Sequence, residues 1–236
     1  MEPTLIKTED GSHSLYIKEL NEHYHSIHGA IQESKHVFIN AGLKQIISQN
    51  PSSISILEIG LGTGLNALLT FIESKQYTGT IHYTALEAFP IGVDLASKLN
   101  YPELPCDSTI NNKTSLTSVF QELHTCEWEK EISLSKQFTF YKVKNSLQKV
   151  DFKSTYDLIY FDAFGPQVQP EMWSEELFTK LVTVTNSKGC LVTYCAKGEV
   201  KRILKKVGFT VESLDGPPGK REMVRALIYL LFFLYQ

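Results

Sequence analysis

The stretch from Ile54 to Asn66 reads ISILEIGLGTGLN and carries the strongest fold signal in the chain. A short β-branched run leads into three glycines, Gly60, Gly62 and Gly64, and an apolar, helix-like stretch follows. Glycine has no Cβ, so it permits a tight turn and lets a ligand approach the backbone closely. A strand, a glycine-rich turn and a helix in this order predict the first βα unit of an open α/β sheet, with a ligand beyond the carboxyl end of the strand.

Short strands alternate with helix-like segments along the rest of the chain, which is typical of a mostly parallel sheet with crossover helices. The seven predicted strands are Ile54–Ile59, Ile81–Glu87, Phe138–Val143, Leu158–Asp162, Cys190–Cys195, Thr210–Leu214 and a run from Val224. The five predicted helices are Leu65–Ser74, Ile91–Leu99, Ser115–Glu122, Ser174–Val184 and Val200–Val207. Residues 6–17 alternate around Asp10-Gly11 and indicate a β-hairpin. We therefore predict an N-terminal hairpin and lid in residues 1–50, and one α/β domain in residues 51–236.

The charge balance excludes a nucleic-acid binder that uses its whole surface. The 236 residues include 23 Lys and Arg and 26 Asp and Glu, a formal net charge of -3, whereas phosphate contacts need cations. Only the stretch from Lys197 to Arg225 is locally basic, with eight cations against four acids. A solvated helix face and a local RNA contact both explain that stretch.

The sequence also predicts a location and a redox state. No apolar run resembles a signal peptide, and Ala226–Tyr235 is shorter than the roughly 20 residues that span a bilayer. We expect that run to be a buried strand and the protein to be cytoplasmic, without a membrane partner. The four cysteines lack both C-x-x-C spacing and a secreted framework, so neither a disulfide nor a zinc site is expected.

The spacing of the glycines distinguishes between two cofactors. A dinucleotide site requires G-x-G-x-x-G, but here the third glycine comes one residue early, so NAD is the runner-up. The pattern E-x-G-x-G-x-G that starts at Glu58 resembles the first motif of class I methyltransferases, which implies S-adenosylmethionine. Glu87 ends the second strand about 20 residues past the glycines, where a carboxylate can accept hydrogen bonds from ribose hydroxyls, unless it is a surface residue. Asn145 and Ser146 follow the third strand, where methyltransferases contact the adenine.

A carboxylate stands at the tip of the fourth strand, which is apolar enough to be central. Asp162 ends that strand and begins the sequence Asp-Ala-Phe-Gly-Pro. Because an unpartnered buried carboxylate is costly, it is expected either to act chemically or to cap the next turn. Its surroundings are similar in layout to the Asp/Asn-Pro-Pro-aromatic motif of amino-group methyltransferases. That resemblance implies an amine nucleophile, which Asp162 would orient and could deprotonate.

Motifs along nearly the whole chain resemble the methyltransferase domain of the MnmC family of bacterial tRNA-modifying enzymes. They are Asp10–Ser12, Tyr24–Ser26, Val37–Ile39, Glu58–Asn66, Glu87–Pro90, Asp162–Phe164, Pro170–Trp173 and Gly219–Met223. The resemblance implies a Rossmann-like class I methyltransferase fold and methylation of 5-aminomethyl-(2-thio)uridine at the tRNA wobble position. The flavin domain of that family does not fit in the remaining residues, so a stand-alone methyltransferase is expected. The oligomeric state is left open.

The resemblance also suggests roles for individual residues. Besides the glycines and Glu87, the expected cofactor contacts are Glu58, Asn66, Asn145, Ser146, Tyr24 and Ser26, the last two closing over the methionine end. Phe164 and Trp173 are expected to wall the substrate, with core packing as the alternative. Lys220 and Arg221 are the candidates for phosphate contacts. His23, His25 and His28 are not expected to bind metal, because the reaction needs none.

Two other functions stay open. A polyamine aminopropyltransferase shares the fold and an Asp at the same strand tip, but the basic stretch near the C-terminus disfavours it. A catalytically inert tRNA or protein binder is disfavoured by the intact Glu58, Glu87 and Asp162.

Overall fold

The computed structural model describes residues 3–104 and 113–229, and its chain begins with a small antiparallel sheet. The strands are β1 (Thr4–Lys7), β2 (His13–Ile17) and β3 (Glu22–His23), in the order β1-β2-β3. The turn between β1 and β2 contains Gly11 at a φ of 85°, a left-handed conformation that glycine adopts without strain. The hairpin predicted around Asp10-Gly11 is confirmed, and a short third strand extends it.

A helical segment connects this hairpin to the main sheet. It consists of α1 (Ala30–Ser34), a π-helix (Lys35–Leu43) and α2 (Lys44–Ile47). Val37, Phe38 and Leu43 are buried in the same apolar cluster as the strands beneath them. At Gly42 a Cβ would lie 3.0 Å from a methyl carbon of Val192, so the missing side chain lets the helix pack tightly on the sheet. The division of the chain at residue 50 stays a prediction, but the helical segment shares the core of the main sheet.

The remaining elements build the α/β part. Its strands are β4 (Ser53–Ile59), β5 (Thr80–Glu87), β6 (Ile132–Ser135), β7 (Phe138–Lys144), β8 (Tyr156–Phe161), β9 (Thr185–Thr193), β10 (Thr210–Asp215) and β11 (Glu222–Leu227). Its helices are α3 (Leu65–Ser74), α4 (Val93–Ala96), α5 (Lys113–Thr125), α6 (Glu175–Thr183) and α7 (Gly198–Lys206), with a 3-10 turn at Pro170–Trp173. Each of the five predicted helices is present: α3 has the predicted bounds, the other four have shifted ends, and α4 is much shorter than predicted.

The sheet order is β10-β11-β9-β8-β4-β5-β7-β6. The pairs of the central five strands β9, β8, β4, β5 and β7 are all parallel, whereas β11 runs antiparallel to both of its neighbours. This confirms the α/β fold with a mostly parallel sheet, including all seven predicted strands. An eighth strand, β6, pairs antiparallel with β7 at the edge. Its four residues, Ile-Ser-Leu-Ser, are too short and polar a run to have indicated a strand.

Alternation along β4 explains why the stretch from Ile54 fixes the fold. Ile54 and Ile56 pack into one apolar cluster, whereas Leu57 and Ile59 pack into the other. Successive side chains of a strand point to opposite faces, so β4 is buried on both sides. A strand covered on both faces lies near the centre of the sheet, and its carboxyl end opens where the first crossover helix begins.

Some predictions fall outside the described residues. Cys106 lies there, and so does the end of the apolar run beyond residue 229. Cys126, Cys190 and Cys195 are buried free thiols. Among the described residues, no helix is both long and apolar enough to cross a membrane.

Candidate active site

A cavity of about 610 Å³ opens beyond the carboxyl ends of β4, β5, β7 and β8, and residues 22–28 of the N-terminal part line its other side. Ten of the residues singled out from the sequence line it: Tyr24, Ser26, Gly60, Gly62, Glu87, Asn145, Ser146, Asp162, Phe164 and Lys220. The other five, Glu58, Gly64, Asn66, Trp173 and Arg221, are not part of the lining. The strand tips therefore bring most of the candidates together.

Two neighbouring groups lie very close to the backbone of the glycine turn. Gly60 has a φ of 90°, and a Cβ there would lie 2.7 Å from the backbone oxygen of Asp162. Gly62 has a φ of 50°, and its Cβ would lie 3.2 Å from the ring of Tyr24. Side chains at these positions would force apart the tips of β4 and β8 and push away the N-terminal lid. The turn therefore requires glycine both for its backbone conformation and for space.

Glu87 ties this turn to the tip of β5. Its Oε2 accepts a hydrogen bond from the Gly62 backbone N–H at 2.9 Å, and its Oε1 accepts one from the Phe89 N–H at 2.7 Å. The Asn145 N–H donates to the Glu87 backbone oxygen at 3.1 Å, and the Ser146 N–H donates to Asn145 Oδ1 at 2.8 Å. The loops after three neighbouring strands, β4, β5 and β7, are thus bonded to one another beside the cavity.

Asp162 extends from the tip of β8 into the cavity wall. Its Oδ2 accepts a hydrogen bond from Asn66 Nδ2 at 2.9 Å. Burial raises the pKa of Asp162 to about 7, and the negative charge of Glu33 adds to this, whereas the Asn66 hydrogen bond and the charge of Lys220 lower it. A carboxyl with such a pKa can hold or release a proton near neutral pH.

Aromatic rings surround this carboxyl. Tyr24 meets Phe164 edge to face, with ring centroids 5.2 Å apart. The Tyr194 hydroxyl donates to the Ala163 backbone oxygen at 2.9 Å, which places its ring in the same wall. Burial and the charge of Glu87 raise the pKa of Tyr24 to about 12, so its phenol stays uncharged. The rings of Tyr24, Phe164 and Tyr194 thus form an aromatic, uncharged part of the wall near Asp162.

Trp173 lies behind this wall rather than in it. It is 3% exposed, and its Nε1 donates to the Phe164 backbone oxygen at 2.8 Å. Its ring packs against Phe161, with centroids 4.9 Å apart. The indole thus holds the turn that carries Phe164, as the core-packing alternative expected.

Lys220 lies inside the site and not on the outer surface. Its Nζ forms an ion pair with Glu33 and stands 3.9 Å from the centroid of the Tyr194 ring. The side chain of Glu33 is 7% exposed and its Oε2 also accepts the Ser26 N–H at 2.8 Å. Neither Glu33 nor Tyr194 was singled out from the sequence, because Glu33 stands in a polar stretch and Tyr194 in a strand, without a motif. Arg221 is exposed.

No group of three His, Cys, Asp or Glu side chains in residues 3–104 and 113–229 is arranged to hold a metal ion. Of the histidines near the cavity, His25 is buried and its Nε2 bonds the Thr63 hydroxyl at 2.7 Å. Burial lowers the pKa of His25 to about 4, so its ring is neutral at physiological pH. Its position is that of a buried polar contact between the lid and the glycine turn.

Comparisons with known proteins agree with this geometry. A family model described as S-adenosyl-L-methionine-dependent methyltransferase matches residues 110–228. The chain is similar to "tRNA 5-methylaminomethyl-2-thiouridine biosynthesis bifunctional protein MnmC" of Pseudoalteromonas atlantica, with 31% identity over 87% of this chain and 31% of that protein. The protein of the same name from Campylobacter hominis is 28% identical over 90% of this chain and 31% of that protein. The chain thus spans about a third of the length of these relatives.

Solved structures are similar in fold. The crystal structure of MNMC2 from Aquifex aeolicus has a TM-score of 0.74 and 21% identity, and covers 95% of this chain and 70% of that one. Human methyltransferase-like protein 13, in complex with SAH, has a TM-score of 0.51 and 14% identity, covering 87% of this chain and 85% of that one.

The cavity fits the cofactor that this family model names. Its volume of about 610 Å³ suits a small-molecule ligand, and the bare backbone of Gly60 and Gly62 leaves room beside the strand tips. Each oxygen of Glu87 accepts one backbone N–H, and a carboxylate has further lone pairs for hydroxyl donors. When bound, S-adenosylmethionine supplies an electrophilic methyl group.

Proposed function

The chain belongs to the family of S-adenosyl-L-methionine-dependent methyltransferases, and we propose that it methylates 5-aminomethyl-(2-thio)uridine at the wobble position of tRNA. The product would be 5-methylaminomethyl-(2-thio)uridine. The similarity to proteins named for the biosynthesis of this nucleoside supports the substrate, although they are about three times as long. A tRNA substrate also supports our expectation that the reaction takes place in the cytoplasm.

The observation that carries this proposal is the position of Asp162. An amine attacks a methyl group only through a free lone pair, whereas an alkylamine is largely protonated at pH 7. A carboxylate with a pKa near 7, beside an apolar aromatic wall, can orient the amine and accept the proton. Bound S-adenosylmethionine would supply the methyl group and leave as S-adenosylhomocysteine, whereas Asp162 would take the proton of the alkylammonium before the attack and pass it to solvent.

We assign the cofactor contacts to residues in the cavity wall. Glu87 would bind the ribose hydroxyls, and Asn145 with Ser146 would contact the adenine. Tyr24 and Ser26 would close over the methionine end, consistent with the contact of Tyr24 at the glycine turn. Phe164 would pack against the substrate, and the exposed Arg221 would contact an RNA phosphate.

The acidic residues that line the cavity bear on the polyamine alternative. Five acidic residues line it: Glu22, Glu33, Glu87, Asp162 and Glu171. Glu33 is neutralised by Lys220, and Glu87 is bonded to the glycine turn, so fewer charges are available to a polycation. This distribution favours a substrate with a single amino group.

The test is methyl transfer from labelled S-adenosylmethionine to tRNA that carries the aminomethyl group. We expect label in the wobble nucleoside, identified by mass spectrometry, and none in tRNA that is already methylated. Asp162→Ala should reduce turnover on the order of 100-fold or more, a typical value for a positioned acid or base. Asp157→Asn is the matched control, because Asp157 lies on the same strand and bonds the Ser55 N–H at 2.8 Å, away from the cavity.

Three results would contradict the proposal. Wild-type turnover in Asp162→Ala would place the reacting centre elsewhere. Transfer of an aminopropyl group from decarboxylated S-adenosylmethionine to putrescine, without tRNA methylation, would establish the polyamine alternative. Tight tRNA binding without turnover on any amine would indicate an inert binder.

A further inference from the structure

We propose that Asn66 is a positioning residue that fixes the Asp162 carboxyl, and that Glu58 behind it acts as an uncharged acid. This inference rests on the proposed role of Asp162. It differs from the roles expected from the sequence, which assigned both Glu58 and Asn66 to the cofactor. Neither residue lines the cavity, and they are 0% and 2% exposed respectively.

One amide nitrogen connects the three side chains. Asn66 Nδ2 donates to Glu58 Oε1 at 3.0 Å and to Asp162 Oδ2 at 2.9 Å. An amide nitrogen has two hydrogens, so both are used. The Asn66 Oδ1 is buried without a hydrogen-bond partner, so the two bonds of its nitrogen are what hold the amide in place. These bonds hold one oxygen of Asp162, while its Oδ1 stays available to a ligand.

The surroundings of Glu58 favour its protonated form. It takes part in none of the ion pairs found among the described residues, and its side chain is fully buried. A carboxylate buried in this way is far less stable than the neutral acid. Burial raises the pKa of Glu58 well above its usual value and the negative charge of Asp162 raises it further, which outweighs the lowering by its hydrogen bonds with Asn66 and Tyr83.

We therefore expect one of the two acids to be ionised and the other to be protonated. Two carboxyls that share one donor do not both ionise readily, and Asp162 has the more favourable surroundings. The groups that act on its charge from other elements are Glu33 on α1 and Lys220 in the loop between β10 and β11. Tyr194, directly after β9, and Tyr83 on β5 also interact with that charge, and burial keeps both phenols neutral. Asp162 is thus the acid that ionises, while Glu58 keeps its proton.

The first experiment titrates the carboxyls in cofactor-free protein labelled with ¹³C at the Asp and Glu side-chain carboxyls. The Asp162 signal is assigned by its loss in Asp162→Asn. In Asn66→Leu the pKa of Asp162 should rise, because the hydrogen bond that lowers it is gone. In Glu58→Gln that pKa should stay near the wild-type value, because a neutral amide replaces a neutral acid. Thr70→Val is the control on the same helix: its hydroxyl bonds the Asn66 backbone oxygen at 2.7 Å, not Asp162.

The second experiment separates positioning from cofactor binding. Asn66→Leu should lower kcat on the order of tenfold, equivalent to about 1.4 kcal/mol, while calorimetric affinity for S-adenosylmethionine stays within about twofold. Glu58→Gln should stay within about threefold of wild-type turnover, a small difference on the same scale. Loss of cofactor affinity in Asn66→Leu with an unchanged Asp162 titration would make Asn66 a cofactor ligand and overturn the inference.

Glu58→Gln tests the inference independently, also when Asn66→Leu does not fold. If Glu58 were charged, its replacement would lower the pKa of Asp162 markedly, and that result would also overturn the inference. If the wild-type protein methylates no aminomethyl-uridine tRNA, the proposed function fails. The titrations and the affinities still decide the arrangement of the three side chains.

Discussion

Asp162→Asn should make the protein more stable at pH 8 while it impairs catalysis. The pKa of Asp162 is raised from 3.8 to about 7. A raised pKa means that the protonated carboxyl stabilises the folded state fully below pH 3.8, and that this stabilisation is lost as the pH rises through 7. At pH 8 the wild-type protein therefore holds a buried charge that an asparagine avoids.

The magnitude follows from the shift. Three pKa units correspond to roughly 4 kcal/mol, which is an upper bound because the side chain is partly exposed in the cavity. We expect the free energy of unfolding of Asp162→Asn, relative to wild type, to be about 2 kcal/mol higher at pH 8 than at pH 4. For a chain of this length that difference corresponds to a melting temperature roughly 4–8 °C higher.

The assay is urea unfolding of both proteins without cofactor, in steps from pH 4 to pH 8. The difference between them should grow up to about pH 7 and then level off. Turnover of the variant on tRNA should fall about 100-fold, because an amide cannot take up the amine proton. A stability difference that does not change with pH would refute the assignment of a strained buried charge to Asp162. Near-normal turnover would show that the side chain only orients the amine.

Two further predictions concern the cofactor and the RNA. Glu87→Ala should weaken binding of S-adenosylmethionine by roughly 1.5–3 kcal/mol in calorimetry, because it removes the charge-assisted hydrogen bonds that we assign to the ribose hydroxyls, and unchanged affinity would return Glu87 to a surface role. Arg221→Ala should flatten the salt dependence of tRNA binding by about one unit of slope, whereas Lys220→Ala should leave the slope unchanged, because Lys220 is already paired with Glu33. Equal effects of the two would mean that Lys220 leaves its ion pair for the RNA.

The regular alternation of short strands with helix-like segments made the central part of the fold predictable from the sequence. The residues of β8 form an apolar run, so this strand could be placed at the centre of the sheet. The helical segment over the sheet was not foreseen, because Lys35–Leu43 contains β-branched residues and a glycine that disfavour a helix in isolation. Packing on the sheet overrides those local preferences. The edge strand β6 was missed because its run has only four residues, two of which are serine.

In the site, a residue could be predicted from the sequence when it stands at the end of a predicted strand. The parallel strands bring Gly60, Glu87, Asn145 and Asp162 to one edge, so a position at the end of a predicted strand was enough to place each of them. The direction of a side chain on a helix was not available in the same way. Asn66 follows the glycine turn directly, yet its amide points at two carboxyls behind the cavity.

The ion pair between Lys220 and Glu33 favours a role for Lys220 that differs from the one predicted for Arg221. The partners of Lys220 are Glu33 on α1 and Tyr194 directly after β9, neither of which is near it in the sequence, so no local pattern could reveal them. A cation that is already paired with a buried acid and packed on an aromatic face is less available to a phosphate. The charge of Lys220 acts instead on the carboxyl of Asp162. The charge of Glu33 raises the pKa of Asp162 and that of Lys220 lowers it, so the pair brings two opposing effects to the reacting centre together. The lid and the loop before β11 are thereby joined where the amine is expected to bind, which leaves Arg221 as the better candidate of the two for contact with tRNA.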